Sequence, residues 1–195
     1  TSRGQFGANL LTVAASGGEL KTGAEDRRFS FTYGADGKLS YDSQPQLEIK
    51  SGRQVTDEQK RGSYDPLTTS IVALLTRADP CLGGPLPVFD GRHRFDLLID
   101  RKGLERVPEG KNLGIKEDGL RCDIRMKRVA GYKPGNDSDT EFKKPARLWL
   151  AKLDDSGRFY PVRLEIDIGI GSVVARLVKF EQRPLTADEK ALLAK

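Results

Sequence analysis

The side chains of this chain that could do chemistry are few and scattered. It has two cysteines, Cys81 and Cys122, and a single histidine, His93. A C-x-x-C redox motif is absent, and a zinc site would have to enlist carboxylates around that one histidine. Cys81 lies in a turn-rich run, Asp79-Pro80-Cys81-Leu82-Gly83-Gly84-Pro85, while Cys122 lies on the apolar side of an alternating segment. Two readings fit these positions. One is a disulfide tying a helix exit to a sheet, which for so long a loop stabilises by about 4 kcal/mol on chain-entropy grounds. The other is a pair of buried, unpaired thiols. The disulfide would require an oxidising compartment, secretion or the periplasm.

His93 sits in Gly91-Arg92-His93-Arg94. As a general base it would need a nucleophile and an orienting carboxylate that spacing alone does not supply. The plainer reading is a polar residue entering a strand, flanked by arginines that disfavour its charged form. Asp90, directly before Gly91, reads as a side chain closing a turn. Asp96 and Asp100 share a strand face, as solvent-facing acids often do, and do not make a glycosidase pair. Gly169-Ile170-Gly171 lacks the G-x-G-x-x-G continuation and the helix that would hold a phosphate, and no G-x-S-x-G elbow occurs. No catalytic residue, metal site or cofactor is therefore assigned.

Charge narrows the partners. The 33 basic and 28 acidic residues leave a formal +5. Arg121, Arg125 and Lys127 project from one strand face with Asp123 among them. A nucleic-acid platform would interleave exposed aromatics with such a stripe, and here the aromatics fall on apolar faces. Specific nucleic-acid binding is not expected, whereas a basic exterior suits anionic envelope polymers or headgroups.

The elements that must position these residues are mostly strands. Phe29, Phe31 and Tyr33 alternate with polar residues, Gly34-Ala35-Asp36-Gly37 turns the chain, and Leu39 to Tyr41 resumes, which predicts a hairpin. From His93 to Asp100, Phe95, Leu97 and Ile99 share one side. From Leu120 to Lys127, Leu120, Cys122, Ile124 and Met126 oppose Arg121, Asp123, Arg125 and Lys127. Val162, Leu164, Ile166 and Ile168 repeat the pattern, as does Ser172 to Phe180. Such half-solvated alternation marks antiparallel strands, not the doubly apolar strands of a parallel sheet. Helix signals are rare. Asp65-Pro66 supplies a cap and a first-turn proline, and Leu67, Ile71, Leu74 and Leu75 repeat at helical spacing to about Arg77. Thr56-Asp57-Glu58-Gln59 and Thr186-Ala187-Asp188-Glu189 have capping-box form, the latter opening a short C-terminal helix. Lys133 to Thr140 reads as a polar excursion.

The chain's 195 residues suit one domain, and no linker divides it, so 1–195 is read as a single β-rich domain. With its 21 glycines added to the 37% apolar residues, the composition is that of a globular chain. Its longest apolar run, Ile71 to Leu75, falls far short of the roughly 20 residues of a membrane span. It opens on Thr1 rather than Met, as a mature or trimmed product does.

Several segments occur together in a recognisable order. They are Asp65-Pro66-Leu67-Thr68, Pro87-Val88-Phe89-Asp90-Gly91-Arg92-His93-Arg94-Phe95-Asp96, Arg121-Cys122, Val129-Ala130-Gly131-Tyr132, Leu148-Trp149-Leu150 and Gly171-Ser172-Val173-Val174-Ala175. In this the chain resembles an uncharacterised family of exported bacterial proteins, domain of unknown function 3108, over roughly Phe29 to Phe180. The resemblance implies an envelope location and a β-rich fold with a helix, and it supports pairing of Cys81 with Cys122. It carries no catalytic residue across. Members have further strands ahead of the aligned region, where this chain offers only Asn9 to Ala15, so some N-terminal strands of relatives are expected to be missing.

A long antiparallel sheet curls as its strands twist, towards a barrel or open half-barrel. The expected architecture is thus mainly β, a curled antiparallel sheet or half-barrel with one amphipathic helix and a short C-terminal one. The expected function is non-enzymatic: a periplasmic protein holding a lipid or other amphipathic envelope molecule in the concavity. Phe95, Leu97, Ile99, Ile124, Met126 and Trp149 are the expected lining, Trp149 reading equally as a core residue. A scaffold acting through an envelope protein partner is the alternative, and a hydrolase the third.

Overall fold

The computed structural model describes residues 2–7, 10–21, 26–50, 52–75, 79–133, 144–167, 171–181, 183–184 and 186–187. Among these, ten strands form two antiparallel sheets. The first has four strands in chain order: β1 (Ser2–Gly7), β2 (Leu10–Lys21), β3 (Asp26–Tyr33) and β4 (Leu39–Gln44). The second has six, again as a meander: β5 (Leu86–Phe89), β6 (Arg94–Glu105), β7 (Gly119–Ala130), β8 (Ala146–Ala151), β9 (Tyr160–Asp167) and β10 (Ser172–Arg176). Between them in the chain come α1 (Asp57–Lys60) and α2 (Pro66–Leu75), and a 3₁₀ turn (Gly110–Leu113) follows β6.

The mainly β reading holds, with both sheets open. Phe31 pairs with Tyr41 in the expected hairpin, and Leu97 with Met126 and Ile99 with Ile124 along the long β6–β7 ladder. Expected bounds shift in three places. Of the expected Asn9–Ala15 strand, residues 10–15 belong to the longer β2, which β1 precedes, and Asn9 lies outside the described residues. The last ladder stops at Arg176, although Leu177 N still donates to Val162 O at 3.0 Å. Helix α2 is described to Leu75. The expected C-terminal helix after Ala187, most of the Lys133–Thr140 excursion and residues 168–170 lie outside the described residues.

The helix starts follow their capping chemistry. Thr56 Oγ1 accepts Gln59 N at 3.2 Å while Gln59 Oε1 accepts Thr56 N at 3.0 Å, the reciprocal pair of a capping box. Asp65 Oδ1 accepts the N–H groups of Leu67 and Thr68 at 3.0 and 3.1 Å, satisfying orphan donors at the head of α2. Its other oxygen accepts the Tyr33 hydroxyl at 2.5 Å, so the cap also ties α2 to the first sheet. Burial works against the Asp65 charge, but hydrogen bonds from Thr68, Tyr33 and Ser16 prevail and hold its carboxyl below the usual range. Burial, chiefly, pushes the Tyr33 hydroxyl above its ordinary value.

The sheets meet over an aromatic cluster. Phe31 and Leu39 from the first sheet pack with Val55 and with Phe89 of β5. Phe31 and Tyr41 lie 4.9 Å apart, and both meet Phe89 edge-on at 6.3 Å. The edge of β5 is covered: Tyr64 N donates to Pro87 O, and Phe89 N to Tyr64 O, each at 2.9 Å.

Candidate functional site

An apolar pocket of about 410 Å³ lies where α2 meets the six-stranded sheet. Strand alternation builds its floor, because Leu97 and Ile99 of β6, Ile124 of β7, Leu148 of β8, Leu164 of β9 and Ala175 of β10 fall on one face by register. Ala73 and Leu74 of α2 form the opposing wall. Leu86 on one edge strand and Ala175 on the other border the same space. In a flat sheet five strand spacings would separate them by about 24 Å, so one pocket can reach both only because the sheet bends around it.

The sulfur pair lies behind the lining. Cys81 and Cys122 form a disulfide with their Cα atoms 5.6 Å apart, linking the segment after α2 to the middle of β7. Both are buried, packed with Leu120 and Leu150, and Leu74, Ile99 and Leu148 lie against that cluster. The crosslink therefore packs behind three of the side chains that line the pocket. Arg101 reinforces it from β6, its Nε donating to Asp79 Oδ2 at 2.9 Å, while Asp79 Oδ1 accepts Cys81 N at 2.8 Å.

Of the six side chains expected to line a cavity, Leu97, Ile99 and Ile124 do so. Met126 shares their face but is buried beyond the pocket, where the Tyr132 hydroxyl contacts its sulfur at 4.0 Å. Phe95, half-buried opposite Arg128, is outside the lining. Trp149 points to the reverse face of the sheet. There it is 3% exposed, clustered with Val107, Ala151 and Val162 and covered by Leu113 and Ile115 of the segment joining β6 to β7. Strand β8 is thus buried on both faces, so its apolar run Leu148-Trp149-Leu150 does not alternate. Among the lining residues not expected from the sequence are Ala73 and Leu74 on the helix and Leu148, Leu164 and Ala175 on the sheet. The β9 and β10 alternation could have found Leu164 and Ala175.

Around Trp149 the reverse face is polar and paired. Its Nε1 donates to Glu105 Oε1 at 2.7 Å, and Arg121 and Arg147 each stand 5.7 Å from its ring centre. Arg121 also binds Glu105 and Asp123, at 3.2 and 2.9 Å. Burial opposes the Arg121 charge, but Glu105 and Asp123 more than offset it and raise its pKa. Arg163 pairs with Glu165 at 2.6 Å, Arg147 with Glu165 at 2.5 Å and Arg176 with Glu109 at 2.5 Å.

His93 stands in the turn between β5 and β6, as its neighbours suggest. Asp90 closes that turn: Oδ1 accepts the N–H groups of Arg92 and His93 at 2.8 and 2.6 Å, and Oδ2 lies 3.2 Å from His93 Nδ1. The imidazole stacks on Tyr132, with centroids 4.5 Å apart. Gly91 has φ +96, and a Cβ there would fall 2.5 Å from the Tyr41 ring. Among the described residues no group of three or more His, Cys, Asp or Glu side chains is arranged to hold a metal ion, and no helix is long and apolar enough to cross a membrane.

A family model described as "Protein of unknown function (DUF3108)" matches residues 19–178. That span runs from the end of β2 through β10. No curated protein and no solved structure matches the chain.

Proposed function

The chain belongs to this DUF3108 family, and from that premise we propose that it is a non-enzymatic, exported envelope protein that holds an apolar or amphipathic molecule between α2 and its six-stranded sheet. The observation that carries this reading is the pocket of about 410 Å³, bordered by one helix and by strands from both edges of the sheet. Protein interiors normally close-pack and leave few voids larger than a water molecule. A space this size, with aliphatic side chains on nearly every side, lies in the range of ligand sites. At roughly 30 Å³ for each water-sized group it admits about a dozen heavy atoms, the bulk of one medium-length acyl chain. The buried disulfide between Cys81 and Cys122 supports an oxidising address.

Titration with 11-(dansylamino)undecanoic acid tests the reading. Saturable binding that laurate displaces is expected. Ala73→Trp, which fills the space from the helix side, should weaken binding at least tenfold while the protein still melts cooperatively. An absence of saturable binding, or full affinity in the filled variant, would overturn it. A scaffold role is the second reading. It is favoured by β10, where Val173 and Val174 are about half exposed on opposite faces of an edge strand.

A further inference from the structure

A second cavity, of about 500 Å³, lies at the junction of the two sheets, away from the pocket assigned above. We propose that it is a separate site for a small aromatic carboxylate.

Its bed is aromatic. Phe29, Phe31 and Tyr41 border it, with Phe31 4.9 Å from Tyr41 and 6.1 Å from Phe29 in edge-on contact. Gly17 and Gly18 of β2 line the adjoining wall. A Cβ on Gly17 would fall 2.6 Å from Phe29 O, and one on Gly18 would fall 3.2 Å from the Phe29 ring. Bare backbone at Gly18 keeps that flank of the ring accessible, while at Gly17 it allows the close approach of the β3 backbone. Ring faces of this kind favour a flat, polarisable partner in offset or edge-on contact.

The polar groups of the cavity are unevenly used. Asp65 and Asp90 both border it, but their acceptor oxygens are engaged. Asp65 takes the Tyr33 hydroxyl and two α2 N–H groups, and Asp90 takes two turn N–H groups and the His93 ring. The Arg92 guanidinium, half-buried at the same rim, has no ion-pair or side-chain hydrogen-bond partner among the described residues. What the cavity lacks is therefore an acceptor for a planar, forked donor, and a carboxylate fits that donor through two parallel hydrogen bonds. A neutral hydrocarbon would cover Arg92 without satisfying it. Asp65, Asp90 and Arg27 also border the cavity, and a single carboxylate balances the charge of Arg92. At roughly 30 Å³ per water-sized group, the volume accommodates one or two fused rings with their carboxylate.

The rigid turn explains why Arg92 is presented here. Asp90 fixes the backbone on both sides of Arg92. Gly91, at φ +96, lets the Tyr41 ring press directly on the turn. Gly131, at φ +92, brings its backbone under Arg92 O, which a Cβ there would approach to 2.4 Å.

Calorimetric titration of the full chain with 2-naphthoate, and in parallel with the neutral 2-naphthalenemethanol, tests the assignment. Saturable naphthoate binding is expected, with the alcohol at least tenfold weaker. Arg92→Gln should lose at least tenfold in affinity and Arg92→Lys should fall between. Ala73→Trp, which occupies the other pocket, should leave naphthoate affinity unchanged. Equal binding of acid and alcohol by the unmodified protein would overturn the proposal however the variants fold. So would full naphthoate affinity in Arg92→Gln, its loss in Ala73→Trp, or no saturable binding at all.

Discussion

Leu148 and Trp149 are neighbours on β8 and face opposite sides of one sheet. On the Leu148 side the helix stands off the strands and leaves an apolar space, with the disulfide packed behind its lining. On the Trp149 side the segment between β6 and β7 lies directly on the sheet, and charged pairs surround the buried indole. A rigid helix, about 10 Å across with its side chains, cannot follow a bending sheet closely. An irregular segment can adjust residue by residue until the gap is filled. One face is thereby free to hold something, and the other is committed to holding the sheet in shape.

The largest test of this contrast is Trp149→Ala. Truncating a buried tryptophan costs roughly 3–5 kcal/mol, and here it also removes one of the two partners of Glu105, leaving Arg121. Denaturant unfolding should show that loss, while the dansyl probe's affinity stays within about twofold of wild type because the ring belongs to the committed face. A large fall in affinity would mean that the two faces are not independent.

Removing the crosslink comes next. Cys81→Ser with Cys122→Ser should lower stability by about 4 kcal/mol, which for a chain of this size shifts the melt by roughly 10 °C. Unlike the tryptophan change it should also weaken probe binding, since Leu74 and Pro80 lose their tether to β7. Reductant should reproduce the effect once both thiols are shown to react. An unchanged melt at that point would mean that the staple contributes little.

The smallest effect concerns the anchor of the helical wall. Asp65 has a folded pKa below its ordinary value of about 3.9, so its contribution is complete above that pH and is lost as pH falls through the folded value. Asp65→Asn should cost about 1 kcal/mol at neutral pH. Stability measured on acidification below about pH 4 should fall more steeply in the wild type than in the variant. Parallel acid profiles would remove Asp65 from the account of how α2 is held.

Much of the fold was legible because period-two alternation is a local signal. The hairpin around Gly34–Gly37, the β6–β7 ladder, the Asp65-Pro66 helix start and the Asp90 turn each depend on residues within a few positions of one another. Where the reading slipped, a distant segment had intervened. Trp149 read either as core or as a cavity side chain, and Val107, Leu113 and Ile115 make it core, while β8 hid its strand character because both its faces are buried. Three of the six residues expected to line a cavity border this pocket for the same reason. Leu97, Ile99 and Ile124 share a face by alternation, but which stretch of that face lies opposite α2 depends on how the helix docks. Phe95 and Met126 fall beyond that stretch.

Taken alone, the order of residues determined which positions form strands, which side of each strand is apolar, where α2 begins and that two cysteines were available to pair. These are short-range matters of backbone geometry, capping and hydrophobic periodicity. Only the tertiary structure decided which apolar face would be sealed and which left hollow, and that Phe31, Tyr41 and Arg92 would meet around one cavity. Those outcomes depend on the twist of a whole sheet and on packing between segments far apart in the chain.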